Sequence, residues 1–160
     1  AKFKTSKYTV EGPLHLGAAV AGAPQEVFDA LTAYGIPLGE AFQLRDDVLG
    51  VFGDPSETGK PAGDDLREGK RTLLVALAMD AASTVEAQLL RHELGDRALD
   101  DNGVAALREV IVSTGALAQV EQRISQRATE ARAALESPAL DRDAREALAA
   151  LILAATDRRA

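Results

Sequence analysis

PQEVFDALTAYGIPLGEAFQLRDDVLGVF, residues 24–52, is the stretch on which the fold turns. Val27, Leu31, Tyr34, Leu38, Phe42, Arg45 and Leu49 recur at steps of three or four, which is the period of one helix face and not the alternation of a strand. Pro24 suits a first helical turn, where its missing N–H is not needed. Gly35 and Pro37 fall inside the pattern. A proline in a helix interior removes one hydrogen bond and crowds the preceding turn, so a kink or short break is expected there.

The chain around this stretch reads the same way. Upstream, LHLGAAVAG (residues 14–22) is small and apolar and ends in the turn signal Gly22–Ala23–Pro24. Downstream, GDPSETGKPAGDD (53–65) is dense in Gly, Pro and Asp and is expected to be a loop. Helical patterning resumes at LREGKRTLLVALAMDAA, with Leu73, Leu74, Leu77 and Ala78 on one face. In STVEAQLLRHELG, Ser83 and Glu86 make a capping box and Gly95 a stop. Three further helical segments follow, the last with Leu148, Leu151 and Ile152 expected to be buried. Asp100 and Asp101 read as turn and cap residues, and Ser113 and Thr114 as a helix end. No segment alternates as a strand. The expectation is one all-α domain over residues 1–160 with one chemically rich loop.

Composition agrees. Of 160 residues, 46% are apolar but only 4% aromatic, so the core is built from Leu, Ala, Val and Ile. That palette favours packed helices, because sheets draw on aromatic and β-branched residues. Without cysteine there are no disulfides or thiolate metal sites. The net charge of −7 includes no basic stripe, which argues against nucleic acid. No apolar run is long enough to span a bilayer, and no signal peptide is visible, which makes the cytoplasm the default expectation. The opening AKFKTSKYTVEG begins on Ala1 and reads as the interior of a longer sequence, so a fragment or processed chain is expected.

The chemistry concentrates in Phe42–Lys70, which holds seven acids and two lysines. On a helix, Gln43, Asp46 and Asp47 stand at i, i+3 and i+4 and share a face, which Gly50 continues without a side chain. Two adjacent carboxylates repel unless a cation neutralises them. With an amide oxygen they form a hard-oxygen set suited to Mg²⁺, which takes one or two protein carboxylates and keeps waters. Acid pairs are common on exposed helices, but the apolar residues around this pair favour a cleft. The five lysines fall at 2, 4, 7, 60 and 70, in a chain that otherwise uses arginine. Lysine is a compact point charge for phosphate. Lys60 lies in TGKPAG between glycines that let backbone approach an anion, although the spacing is not that of a P-loop. Asp64 and Asp65 precede a helix and most simply favour its N-terminus. His15 and His92 have no metal-ligand spacing and read as structural.

FQLRDD followed by GDPSETGKPAGDDLREGKRTLL resembles the C-terminal half of the trans-isoprenyl diphosphate synthases, especially the geranylgeranyl and related short-to-medium-chain polyprenyl synthases. KTSKYTVEGPLHLGAAVAGA resembles that family's Lys-Thr segment, and the residues after about 83 fit only as a helical tail. The resemblance implies the all-α prenyltransferase bundle. It implies Mg²⁺-dependent condensation of isopentenyl diphosphate with an allylic diphosphate, and a homodimer. By the same resemblance, Lys4 and Thr5 bind the allylic diphosphate and Gln43 lies near it. Asp46 and Asp47 begin the second aspartate-rich motif, with Asp46 the direct Mg²⁺ ligand. Lys60 is the flap lysine on the diphosphate, and Lys70 and Asp65 belong to the downstream loop, with Lys70 counted among the substrate-binding residues.

Two departures matter. The motif usually ends in a third Asp, where this chain has Gly50, and a lesser one is Gly12 where relatives often carry Arg. The first aspartate-rich motif, DDxxD, is absent. The expectation is therefore an incomplete prenyltransferase domain lacking its N-terminal half and inactive alone. Two alternatives stand beside it: a non-catalytic diphosphate-binding or regulatory subunit of a heteromer, and a class I terpene cyclase. The Lys60-to-Lys70 loop argues against the cyclase.

Overall fold

The computed structural model describes residues 6–59, 61 and 63–157, and the side chains of all of these except Glu57 and Thr58. Among the described residues there are helices and turns and no strand. A π-helical turn, Lys7–Glu11, leads into α1 (Gly12–Val20), and the long α2 runs over Gln25–Phe52. Two short helices follow, α3 (Pro55–Thr58) and α4 (Asp64–Arg67). Then come α5 (Leu73–Ala81), α6 (Thr84–Glu93), α7 (Asp101–Ser113), α8 (Ala116–Ala134) and α9 (Arg142–Thr156). The described chain forms two compact units, one of residues 6–45 and 123–157 and one of residues 46–122.

In the first unit, Leu31, Tyr34 and Leu38 of α2 share a core with Ala131, Leu135, Leu140, Leu148 and Ile152. Tyr34 is fully buried, and its hydroxyl donates to the Leu148 carbonyl at 2.8 Å. Burial pushes its phenol up to about 12, since the anion would lose its water. Leu151 was expected inside but is 50% exposed. Leu148 and Ile152, four apart, form the buried stripe of α9, and Leu151 lies to its side.

The short break allowed for at Gly35 and Pro37 does not occur: α2 is continuous through both. Pro37 lies within it and has no N–H to donate to the ladder. The glycines serve close packing. A Cβ on Gly39 would lie 2.6 Å from the Ser6 Cα, and one on Gly35 would lie 3.2 Å from the Glu11 Cα. One turn apart, they admit the N-terminal segment against the helix. That segment is tied further by Thr32, whose hydroxyl donates to Glu11 Oε1 at 3.0 Å and lies 2.9 Å from His15 Nε2. His15 also packs edge-on against Phe28, so the structural reading of His15 stands with a polar partner added.

In the second unit, α5, α6 and α7 pack on one another. They bury Leu74, Val75 and Ala78, then Ala87 and Leu90, then Val104, Leu107, Val110 and Ile111. The capping box of Ser83 and Glu86 is present in both directions. Asp100 caps α7 by accepting from the Gly103 N–H at 2.8 Å. The loop expected after Phe52 contains α3, opened by Asp54, which accepts from the Ser56 N–H at 2.7 Å. Arg108 donates from Nε to the Val51 carbonyl at 2.7 Å and lies over the Phe52 ring. A cation thus meets the carbonyl end of α2, where the helix dipole favours it. No single helix among the described residues is long and apolar enough to cross a membrane.

Candidate functional site

The last two turns of α2 carry the acidic residues. Leu44, Val48 and Val51 are its buried side. Gln43, Asp46 and Asp47 are half-buried on the remaining circumference, at i, i+3 and i+4 of the continuous helix. Apolar anchoring on one side therefore fixes the rotation of the polar side, which tight core packing makes rigid. The geometry keeps two carboxylates and an amide oxygen on one partly sheltered face. That donor set fits Mg²⁺, a hard cation that keeps waters and takes few protein ligands. Among the described residues, no group of three or more His, Asp or Glu is arranged to hold a metal unaided. Asp46 and Asp47 would hold part of the coordination shell, leaving positions for phosphate oxygens and water.

Lys4, Thr5 and Lys60 lie outside the described residues. Lys70 is described, with its side chain 43% exposed. Its ammonium donates to Asp65 Oδ1 and lies 3.2 Å from Glu68 Oε2. The hydrogen bond that Lys70 donates to Asp65 leads the influences that raise the Lys70 pKa, with Glu68 adding to it. Hydrogen bonds within the turn hold this loop: the Lys70 N–H to the Asp65 carbonyl at 3.0 Å and the Gly95 N–H to the Leu66 carbonyl at 2.9 Å. Gly69 has φ of 67° and packs directly on Gly95.

Asp64 and Asp65 do stand in the first turn of α4, as their sequence context suggests. Asp65, however, is only 5% exposed, and helix-end electrostatics alone would not bury it. It is turned toward Gly50. A Cβ built on Gly50 would lie 2.1 Å from Asp65 Oδ2 and 2.3 Å from its Cγ. Sequence reasoning saw the missing acid at position 50 and the second acid pair at 64–65 but did not join them. The signal available was their joint presence: a glycine on an acidic face, and an unexplained aspartate one loop later.

His92, read as structural, has an exposed ring that lies 2.9 Å from Oε1 of its neighbour Glu93. Thr114 closes α7 by donating to the Val110 carbonyl at 2.8 Å, the helix-end role expected of it.

The model of the polyprenyl synthetase family matches residues 1–111. The chain belongs to that family. It is 40% identical over 144 residues to a geranylfarnesyl diphosphate synthase of Aeropyrum pernix, covering 89% of this chain and 44% of that protein. Among solved structures it resembles geranylgeranyl pyrophosphate synthase from Corynebacterium glutamicum, which was crystallised with isoprenyl diphosphate and magnesium. There the identity is 48% and the TM-score 0.93, over 99% of this chain and 45% of the other. A polyprenyl synthase from Caulobacter crescentus, complexed with calcium and isoprenyl diphosphate, aligns with 41% identity and a TM-score of 0.78, over 90% of this chain and 44% of its own. The chain thus spans a little under half the length of these polyprenyl synthetase relatives. The all-α fold expected from its periodicity is the helical fold of this family.

Proposed function

We propose that this chain forms one wall of the active site of a polyprenyl diphosphate synthase, in which Mg²⁺ serves condensation of isopentenyl diphosphate with an allylic diphosphate. The observation that carries the reading is the half-buried face of Gln43, Asp46 and Asp47 on α2, in a helical fold that superposes on a magnesium- and isoprenyl diphosphate-bound relative. When bound, Mg²⁺ supplies charge neutralisation for the diphosphate leaving group.

The chain's own residues do the rest. Asp46 and Asp47 orient that charge, with Asp46 the direct ligand. Gln43 offers an amide to the allylic substrate, and Lys4, Thr5 and Lys60 take up diphosphate oxygens. In the reaction the allylic C–O bond breaks and its electron pair leaves with the diphosphate. The isopentenyl double bond then attacks the allylic cation, and a proton is lost to form the new double bond. Negative charge grows on the leaving group, so cations placed there stabilise the transition state more than the bound substrate. Leu44, Val48 and Val51 keep the back of the acidic helix dry. A water-poor setting protects a carbocation from hydrolysis.

The test is condensation of radiolabelled isopentenyl diphosphate with geranyl or farnesyl diphosphate by the full-length protein, with and without Mg²⁺. Elongated product that vanishes on chelation supports the reading, and its absence with every allylic partner overturns it. A homodimer of the full-length protein in the cytoplasm belongs to the same proposal, and light scattering reads the mass.

A further inference from the structure

Gly50 stands on the acidic face of α2, four residues beyond Asp46, where a side chain would continue the row. The space of that side chain is already filled. An ideal Cβ at Gly50 falls 2.1 Å from Asp65 Oδ2, 2.3 Å from Cγ and 2.9 Å from Oδ1, all well inside van der Waals contact. Asp65 has little freedom to withdraw: its side chain is 8% exposed and is bonded to Lys70. Burying a lone carboxylate is costly, and the Lys70 ammonium offsets that cost.

We infer that Asp65 supplies from α4 the third carboxylate that α2 lacks, with Gly50 providing its space and Lys70 its counter-ion. Gly50 and Lys70 are positioning residues for Asp65. The third carboxylate is thus borne on a different element from the first two. This deepens the proposed function, on which its catalytic consequence rests. Substituting Gly50 by Asp, which would restore the usual run of acids along the helix, sets two carboxylates in one place and harms the protein. Moving the acid instead of adding it, as Gly50→Asp with Asp65→Ala, puts the carboxylate back within reach of Lys70.

The experiment compares Gly50→Ala, Gly50→Asp, Asp65→Ala and the Gly50→Asp/Asp65→Ala double variant in the full-length protein. Melting temperature and the Lys70 side-chain titration by NMR are read without substrate or metal. Each single variant is expected to lower the melting temperature by several degrees, and Gly50→Ala and Asp65→Ala to lower the Lys70 titration, with Glu68 still holding part of the rise. The double variant is expected to recover both. Gly50→Ala that melts and titrates like the parent overturns the inference, as does a double variant that titrates like Asp65→Ala. If Gly50→Asp fails to fold, the alanine variants and the double variant still decide. In the assay, half-saturating Mg²⁺ is expected to rise about tenfold in Asp65→Ala and to recover in the double variant. Parent protein without condensation activity overturns the proposed function, whereas the substrate-free readouts judge the arrangement of the three residues on their own.

Discussion

A buried phenol resists ionisation, and at Tyr34 that resistance has a measurable consequence. Its ordinary value near 10 is raised to about 12 by burial. The neutral form is the one the fold favours, so its contribution is complete below pH 10 and is lost as pH rises through about 12. Tyr34→Phe is expected to cost about 1 kcal/mol at neutral pH by leaving the Leu148 carbonyl one donor short. In urea melts repeated at rising pH, the gap between parent and variant should narrow above pH 10 and close. A constant gap would mean that the hydroxyl is not what the core holds. At Asp46 the expectation concerns rate: Asp46→Ala in the full-length protein should lower kcat by about a hundredfold or more, with the fold intact by circular dichroism. An unchanged kcat would remove Asp46 from the site.

At the scale of the element, α2 shows what a sequence pattern does and does not encode. The three-and-four spacing of Val27 to Leu49 is a local property, and it gave the helix correctly. Gly35 and Pro37 are also local signals, but their effect depends on what lies against them. The close approach of Ser6 and Glu11 is tertiary, and it makes Gly35 and Gly39 contact residues of an unbroken helix. Gly39→Leu is expected to destabilise by about 1–3 kcal/mol through overpacking, because the atom in the way is backbone and cannot rotate aside. Gly35→Ala, with its contact at 3.2 Å, should cost less; thermal melts of the two variants check the order. The capping box at Ser83 was legible because a cap is written in four consecutive residues. Leu151 was misplaced because the edge of a helix stripe is set by its neighbours, which no periodicity contains. Asp65 was legible only as a residue: its burial beside Gly50 joins positions fifteen apart across two elements.

At the scale of the whole molecule, the acids of α2 give only part of a metal shell, and among the described residues no group of three or more acids is arranged to hold a metal unaided. The purified chain alone, given Mg²⁺, isopentenyl diphosphate and farnesyl diphosphate, is therefore expected to yield no elongated product. Sustained Mg²⁺-dependent turnover would show that these residues suffice. The fold class and family were open to reading because a motif of some thirty residues and a helical period both survive in a one-dimensional string. The partners of Lys70 were not, because an ion pair is chosen by a fold and not by a spacing. The chain contains no tryptophan and only two tyrosines, Tyr8 and Tyr34, both in the first compact unit. Tyr8 is 77% exposed and Tyr34 is fully buried. In the tyrosine bands, at longer wavelength than those of the phenylalanines, near-ultraviolet ellipticity thus reports on the first unit through its sheltered Tyr34, while far-ultraviolet ellipticity sums helices from both. Overlaid melting curves from the two wavelength ranges become a built-in gauge of cooperativity: coincidence marks a single transition, and separation gives each unit its own midpoint without any label being introduced.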